Sequence, residues 1–499
     1  MKESTRIISA LICVCLIFVT VFAGRNGAAA EVEEVVADTD SLVVWYTDDG
    51  ITDYLNSMAV EYHEKYDVRV IPKLQSGSDY IETIYAASMD EDTTPDLCIM
   101  GSDVLEKAYM SGCAAEISAD ELINNRDIFP ETAVNAVTYR EKLVAYPMYF
   151  ETTALVYNET HLREIATNLV MAENATTPED ENEDNSDEED TEENNPYAGL
   201  SEEEQIELRM STEVPGTFEE LLSFADEFDA PAGVESIFKW DVRDIFYNYF
   251  FLGDYINIGG KAGDNPDEID IYNLDAIKAL TLFQDMNQFF SFESSDVTYA
   301  KVMDEFIQGK LVFATVTTDA LDTLDEAAKN GDFPYEYGVT MIPDISEDME
   351  TRSLSATTVL AVNGYSDMQD RANAFAKYLV SDRADVLYEK TGKLPVKKGI
   401  IDSDSKAYAF TEEYSCSVPM PKMMSTSNYW LLIEGTFADV WSGVDVSTSL
   451  KELSEQIKHQ ITGETVVEEY IEPPKPEEEN VEYLDEDALK QQAKDEASE

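Results

Sequence analysis

Strand-like apolar runs alternate with amphipathic helix patterns along the first part of the chain. Residues 42–46 form a continuous apolar run, and residues 51–62 then carry apolar side chains at helical spacing. The same succession follows at residues 68–71 and 81–85, and the run at residues 96–100 is again followed by a helix pattern. Strands that alternate with helices predict a largely parallel sheet with helices on both faces.

The second half of the chain repeats this pattern less regularly. Thr217 and Glu220 form a capping box before one helix pattern, and Asn273 and Ser366 precede two others. A chain of 499 residues is long enough for two or three domains. We therefore expect an α/β core in two lobes.

The balance of charge excludes one class of partner. The chain has 34 Lys and Arg against 103 Asp and Glu, a net charge of -69. Such a surface repels phosphate backbones, so we expect no nucleic-acid partner. The 3 His and 5 Cys have no metal-ligand spacing, so we expect neither a metal site nor a cofactor.

Motifs of the common catalytic sites are absent from the sequence. It contains no Gly-x-Ser-x-Gly, Gly-x-Gly-x-x-Gly, Walker loop or His-Glu-x-x-His motif. We therefore predict a protein that is not an enzyme and has no catalytic residues. A secreted glycosidase needs only two carboxylates at a fixed separation, and it stays a less favoured alternative.

The first 30 residues have the organisation of a secretory signal peptide. Lys2 and Arg6 precede an uncharged apolar run at residues 7–22, and three alanines at residues 28–30 provide a cleavage site. The alternative is an uncleaved membrane anchor. Both readings predict an extracytoplasmic protein, secreted or associated with the cell surface.

Two segments are set apart by their acidity. Between residues 179 and 193, 11 of 15 residues are acidic. Because such a segment cannot bury enough apolar surface, we expect a disordered acidic insertion at residues 173–213. The acidic residues 464–499 predict a flexible tail, and neither segment has the Asp-x-Asp-x-Asp-Gly spacing of a calcium loop.

A series of short motifs occurs in order over about residues 40–463. They are Leu-Val-Val-Trp at 42–45, Thr-Pro-Asp-Leu at 94–97, Ser-Gly-Cys-Ala-Ala-Glu-Ile at 111–117, Ala-Tyr-Pro at 145–147, Glu-Thr-Thr-Ala-Leu-Val-Tyr-Asn at 151–158, Pro-Gly-Thr-Phe-Glu-Glu-Leu at 215–221, Phe-Ile-Gln-Gly-Lys at 306–310, Thr-Gly-Lys-Leu-Pro-Val at 391–396, and Met-Pro-Lys at 420–422 leading to Trp430 and Trp441. In this order they resemble family 1 of the extracellular solute-binding proteins of ABC importers, the maltose-binding-like group.

The resemblance implies a two-lobed periplasmic-binding-protein-like fold of type II, with hinge crossings between the lobes and a ligand cleft between them. Carried onto this chain, lobe one comprises residues 31–149 with 356–397, and lobe two comprises residues 152–350 with 400–463. The crossings fall near residues 150–151, 355–356 and 396–399 in this alignment of motifs.

The implied function is that of the substrate-binding subunit of an ABC importer. It would bind a maltodextrin-like oligosaccharide or a related glycan by hinge closure and deliver it to permease subunits in the membrane, as a monomer. The alternative is a surface protein that captures a non-sugar solute, or a sensor, without transport.

Placed on the family's pattern, seven residues are candidates for the ligand site. They are Asp49, Asp103, Glu151, Asp244, Tyr247, Tyr249 and Trp430. Carboxylates accept hydrogen bonds from sugar hydroxyls, and aromatic rings cover the C–H faces of a pyranose. For the four acids the alternative is a helix-start or solvated residue, and the two tyrosines could instead belong to the core.

Two positions depart from the family's maltose binders. Met100 stands where those proteins have a stacking Trp after the third strand, and Asp319 follows the position near Thr317 and Thr318 where another Trp is expected. A shorter glycan, a non-sugar ligand, or a cation or amine remains open as the solute.

Overall fold

The computed structural model describes residues 41–90, 93–118, 120–176, 199–227, 230–290, 297–426 and 428–473. The predicted signal peptide, the most acidic part of the insertion and most of the tail lie outside the described residues.

The described chain contains both helices and strands, and several of the strands are only two residues long. The strands are β1 (Leu42–Tyr46), β2 (Val70–Leu74), β3 (Leu97–Gly101), β4 (Thr138–Tyr139), β5 (Lys142–Leu143), β6 (Tyr146–Glu151), β7 (Thr153–Asn158), β8 (Ser236–Lys239), β9 (Asn257–Ile258), β10 (Ile269–Asp270), β11 (Leu311–Thr317), β12 (Tyr337–Thr340), β13 (Leu354–Val362), β14 (Leu394–Pro395) and β15 (Val418–Pro419). The α-helices are α1 (Thr52–Tyr66), α2 (Tyr80–Ala87), α3 (Leu105–Met110), α4 (Asp120–Ile123), α5 (Glu131–Val137), α6 (Glu159–Thr176), α7 (Glu202–Thr212), α8 (Phe218–Glu227), α9 (Leu274–Phe290), α10 (Tyr299–Ile307), α11 (Ala320–Asn330), α12 (Gln369–Lys377), α13 (Ala384–Thr391), α14 (Tyr408–Cys416), α15 (Tyr429–Trp441) and α16 (Val446–Thr462).

The larger sheet, sheet one, has seven strands in the order β14-β6-β13-β3-β1-β2, with β15 pairing to β13. Strands β1, β2 and β3 run parallel, as the strand-and-helix alternation predicts. The pairs β13·β3, β13·β6 and β14·β6 are antiparallel, so the prediction of a largely parallel sheet is wrong for this half. Parallel neighbours need a helical crossover between them. Strand β13 instead enters sheet one directly from sheet two, and it runs in the direction opposite to β3 and β6.

Sheet two has four strands in the order β12-β7-β11-β8. The chain leaves sheet one at Glu151, the last residue of β6, and enters sheet two at Thr153, the first residue of β7. It returns between Thr340 of β12 and Leu354 of β13. These passages lie close to two of the predicted crossings, while the exact lobe boundaries stay predictions.

Buried apolar side chains stabilise both parts, and one core cluster joins Val44 of sheet one to Val156 and Val316 of sheet two. All five residues of β1 are buried, as expected for a central strand covered on both faces. A second apolar core lies between sheet two and helices α8, α9, α15 and α16. There Phe218 stacks on Phe250 with ring centroids 5.5 Å apart, and Trp240 meets Trp441 edge-on at 5.7 Å.

The predicted disordered insertion at residues 173–213 is wrong at both ends, because α6 extends into it and α7 lies within it. Ser201 and Glu204 form a capping box at the start of α7. Arg163 of α6 pairs with two glutamates of α7, and Ile206 is buried against apolar residues of α6. Tertiary partners thus order an acidic helix whose composition alone favours disorder.

The predicted flexible tail at residues 464–499 is also wrong for its first ten residues. Glu468 accepts hydrogen bonds from Lys458 at 2.6 Å and from Ser454 at 2.9 Å. The carbonyl of Ile471 accepts one from Ser447 at 2.6 Å. These bonds fasten the segment along α16.

Candidate functional site

A cavity of about 220 Å³ opens at the edge of sheet one where β1 and β3 end. It is lined by Thr47 and Asp48 after β1, by residues 99–101 of β3, by Tyr149 and Glu151 of β6, and by Ala356 and Thr358 of β13. The carboxyl ends of parallel strands are where α/β sheets bind ligands. The cavity also touches both passages between the sheets, because Glu151 ends β6 and Ala356 lies near the start of β13.

Asp48 is the most constrained acid of this lining. Its carboxylate lies 2.9 Å from the Lys393 ammonium and accepts a hydrogen bond from the Tyr149 hydroxyl at 2.9 Å. Burial raises the pKa of Asp48, but the hydrogen bond and charge of Lys393 outweigh it and hold the pKa below its usual value. The Lys393 ammonium also lies 5.0 Å from the ring centroid of Tyr149. This corner of the cavity is therefore a fixed, nearly neutral pair.

Glu151 is the second acid of the cavity lining and is exposed. The register of sheet two places Thr153 beside Thr317, the last residue of β11. Asp319 follows this pair at the start of α11, whereas Glu151 still pairs with Ala356 in sheet one. Asp319 accepts hydrogen bonds from the Tyr299 hydroxyl at 2.9 Å and from the Thr317 hydroxyl.

Helix α11 connects this end of sheet two to the Asp48 corner. Gly392 has a φ of +69°, and the carboxylate of Asp322 in the first turn of α11 occupies the space where a side chain on Gly392 would lie. Lys393 follows directly and binds Asp48. The start of α11 therefore lies against the turn that borders the cavity.

An aromatic pair lies at the end of β11, where the Tyr247 hydroxyl contacts Thr317 and the Tyr299 hydroxyl donates to Asp319. Tyr247 stacks on Tyr299 with ring centroids 4.9 Å apart. Burial raises the pKa of Tyr247, and the charges of Asp319 and Asp244 raise it further. This end of sheet two thus combines tyrosine rings with carboxylates.

The predicted residues of sheet one lie at or near the cavity. Glu151 is in its lining. Asp103 is half-buried in a 3₁₀ turn that follows the lining residue Gly101, and burial raises its pKa. Asp49 is exposed in a 3₁₀ turn, whereas its neighbour Asp48 lines the cavity.

The predicted residues of sheet two's side do not line this cavity. Asp244 is exposed and caps a 3₁₀ turn by accepting a hydrogen bond from the Phe246 amide at 2.9 Å. Tyr249 is 1% exposed and belongs to the core, so its ring is shielded from any ligand. Trp430 is half-buried at the start of α15, with its ring centroid 6.3 Å from that of Tyr249.

Sequence reasoning does not indicate three residues of the site: Asp48 and Tyr149, which line the cavity, and Lys393, which binds Asp48. Asp48 could have been found by extending the strand-end argument one residue back from Asp49. The remaining partners come from elements far apart in sequence, so no local pattern indicates them.

Within the described ranges, no cluster of three or more His, Cys, Asp or Glu residues is arranged to hold a metal ion. In the same part of the chain, no helix is long and apolar enough to cross a membrane.

Comparison with known proteins gives a family and a fold. The sequence profile of a family described as bacterial extracellular solute-binding protein matches residues 57–412. No curated protein sequence matches the chain significantly.

Solved structures of sugar-binding proteins share the fold. A cyclo/maltodextrin-binding protein complexed with maltotetraose has a TM-score of 0.66 at 19% identity, over 85% of this chain and 97% of that one. The extracellular solute-binding protein of Staphylococcus aureus in complex with maltose has a TM-score of 0.66 at 17% identity, over 85% and 98%. The maltose-binding periplasmic protein of Listeria monocytogenes with maltose has a TM-score of 0.63 at 20% identity, over 86% and 100%.

These matches confirm the predicted two-lobed α/β fold. The family match also confirms that the protein is a binding protein rather than an enzyme, and an extracellular family implies a place outside the cytoplasm. The chain, matched by the family over most of its length, belongs to the bacterial extracellular solute-binding proteins.

Proposed function

We propose that this protein is the substrate-binding subunit of an ABC importer and that it binds a carbohydrate in the cavity between its two lobes. The observation that carries the proposal is the position of the cavity. It lies at the carboxyl ends of β1 and β3 and is bordered by Glu151 and Ala356, where the chain passes between the sheets. The sugar complexes of proteins with the same fold support the choice of solute.

The groups at the cavity suit a sugar. Asp48 and Glu151 offer carboxylate oxygens to hydroxyl donors, and the Tyr149 hydroxyl holds the Asp48 carboxylate in place. Because Tyr149 and Lys393 hold the Asp48 carboxylate in place, little side-chain entropy is lost when a ligand binds.

Binding would bias a hinge equilibrium. A solute that touches sheet one through Asp48 and sheet two through the wall near Thr317 gains contacts only when the two walls approach. It therefore favours the closed form by the free energy of those added contacts. The closed form would then dock on a membrane permease, and export by the leader at residues 1–30 would bring the monomer to its site of action.

Thermal unfolding against a panel of oligosaccharides tests the proposal. A ligand present at about 100 times its dissociation constant should raise the free energy of unfolding by about 2.7 kcal/mol. Thr47→Trp narrows the cavity and should abolish this gain, because Thr47 is part of the lining. Val60→Trp is the matched control, since Val60 is 60% exposed on α1 and away from the lining. A gain that persists in Thr47→Trp, or a panel in which no carbohydrate stabilises the protein, would contradict the proposal.

A further inference from the structure

Buried polar side chains connect the two passages of the chain between the sheets. Thr152 and Thr153 lie where the chain enters sheet two, and Ser353 and Leu354 lie where it returns to sheet one. The Thr152 hydroxyl donates a hydrogen bond to the Leu354 carbonyl at 2.9 Å, and the Thr153 hydroxyl donates one to the Ser353 hydroxyl at 3.1 Å. The two passages are therefore joined side by side.

A third segment of the chain joins the same cluster. Ser417 and Val418 begin the segment that connects α14 to α15. The Ser417 hydroxyl donates a hydrogen bond to the Ser355 hydroxyl at 2.8 Å, and the Ser355 hydroxyl donates one to the Val418 carbonyl at 3.3 Å.

Glu413 of α14 is the acid of this cluster. Its carboxyl group accepts a hydrogen bond from the Ile342 amide at 3.0 Å and is also hydrogen-bonded to Ser353. Ile342 follows β12 of sheet two and Ser353 precedes β13 of sheet one, so one carboxyl group spans the returning passage. The buried residues that make these contacts are here called the hinge network: Thr152, Thr153, Ser353, Ser355, Glu413 and Ser417.

No positive charge balances Glu413 when it ionises. Burial raises its pKa to about 7, the charge of Asp344 raises it as well, and the hydrogen bonds from Ser353 and Ile342 lower it only in part. In the described ranges of the chain Glu413 has no ion pair. The folded protein thus favours the neutral form of this group.

The elements that pack on α14 are α5, β7 and β12, and the returning passage and the segment after α14 contact it as well. The titratable and charged groups on all of these and on α14 itself are Glu131, Tyr157, Tyr337, Asp344, Glu347, Asp348, Glu350, Arg352, Tyr408, Glu412, Tyr414, Cys416 and Lys422. The two cations among them have other partners. Arg352 pairs with Asp254 at 2.7 Å, and Lys422 donates hydrogen bonds to the carbonyls of Asn135 and Ala262.

The two sheets lie in an open arrangement in this structure. The cavity lining comes from the turn after β1 and from β3, β6 and β13 of sheet one, and the described strands of sheet two add no residue to it. Closure must bring sheet two towards this lining through a rotation at the passages, which changes the backbone where the hinge network lies. The contacts of Glu413 therefore belong to the open arrangement.

Ionisation of Glu413 weakens this arrangement. A buried carboxylate without a counter-charge has lost hydration that no neighbour replaces. Its ionisation costs free energy as long as the passages keep their present form, and it favours a form of the passages in which water reaches the carboxylate.

We propose that the hinge network is a pH-sensitive device, in which ionisation of Glu413 releases the open arrangement and favours closure. The inference goes beyond the proposed function, because it concerns the hinge and holds for the protein without solute. The affinity for a solute should rise from pH 6 to pH 8 as a consequence, since a larger share of the protein is then in the closed form.

Double electron–electron resonance on the mature protein without solute tests the inference. Spin labels replace the exposed Glu64 on α1 and Asp275 on α9, in a background that carries Cys416→Ser. If the closed form binds the proton of Glu413 about tenfold more weakly than the open form, the ratio of short to long distances should rise about fivefold between pH 6 and pH 8.

Three variants show whether Glu413 causes this response. Glu413→Gln keeps a neutral group that accepts hydrogen bonds, so the response should be lost and the long distance retained. Glu412→Gln is the matched control, since Glu412 is exposed on the same helix, and it should keep the response. Ser353→Ala removes a hydrogen bond that lowers the pKa of Glu413, so it should move the midpoint of the response to higher pH. This third variant keeps the test decisive if Glu413→Gln does not fold.

The outcomes separate this inference from the carbohydrate proposal. Distances that do not depend on pH, a shift to longer distances at pH 8, or an equal response in Glu413→Gln would overturn the inference and leave the carbohydrate proposal standing. An unchanged midpoint in Ser353→Ala would also overturn it. A panel in which no oligosaccharide stabilises the protein contradicts the carbohydrate proposal alone, because the distances are measured without solute.

Discussion

Replacing the buried Glu413 with Gln should change how the stability of this protein depends on pH. Glu413 is 3% exposed on α14 and accepts a hydrogen bond from the Ile342 amide at 3.0 Å. It also accepts hydrogen bonds from Ser353. Ile342 follows β12 and Ser353 precedes β13, so this carboxyl group holds both ends of the passage from sheet two back to sheet one.

Burial raises the pKa of Glu413 from 4.5 to about 7, although the hydrogen bonds from Ser353 and Ile342 lower it in part. Below about pH 4.5 the group is protonated in both the folded and unfolded chain, and the fold has its full stability. As the pH rises towards 7 and above, the unfolded chain ionises first, so the folded state loses about 3 kcal/mol. About 2.5 kcal/mol of that loss falls between about pH 5 and pH 8.

Urea unfolding between pH 5 and pH 8 measures this dependence. Glu413→Gln mimics the protonated group at every pH, so the difference in stability between the variant and the wild type should move by about 2.5 kcal/mol in favour of the variant across the range. Using the difference removes the common effect of the large net charge. Glu412→Gln, an exposed neighbour with the same loss of charge, should run parallel to the wild type. Parallel curves for Glu413→Gln and wild type would refute the assignment of a raised pKa to the buried carboxyl.

Three further perturbations test other parts of the account. Lys393→Met should raise the pKa of Asp48, measured by NMR titration of the carboxyl carbon, because Lys393 is the main group that lowers it; an unchanged pKa would contradict this. Burial lowers the pKa of Lys422 from 10.5 to about 8, so the folded state binds this proton more weakly, and the wild type should gain stability relative to Lys422→Met as the pH rises between these values. If the free energies of unfolding of the wild type and of Lys422→Met change equally with pH, burial does not lower the pKa of Lys422. Deletion of residues 179–193 should change the free energy of unfolding by less than about 1 kcal/mol, because closure entropy depends weakly on loop length; failure to fold would show that the segment is structural.

Periodicity and burial explain which elements could be predicted. Strand β1 is a continuous apolar run, and its complete burial follows from that composition. The antiparallel strands β6 and β13 lie side by side only because the chain has passed through sheet two between them, which no local pattern encodes. Helix α7 is too acidic to be expected from composition, since its order depends on Arg163 and the apolar face of α6.

The residues of the candidate site also differ in whether the sequence indicates them. The motif at residues 151–158 indicates Glu151, and this residue lies in the cavity lining. The strand-end pattern indicates Asp49 although Asp48 lines the cavity, because the end of a strand does not define which residue of the following turn points inward. Lys393 binds Asp48 from a distant part of the chain, so only the folded structure brings the two together.

Ligand-dependent closure is the most direct test of a solute held between two lobes. Spin labels at Glu64 on α1 and Asp275 on α9, both exposed, would report the distance between the lobes in a background where the exposed Cys416 is replaced by Ser. The distance between the labels, measured by double electron–electron resonance, should shorten when a solute that binds is added. In Thr47→Trp the distance should stay at its long value. An unchanged distance distribution with a saturating, bound solute would contradict binding by hinge closure.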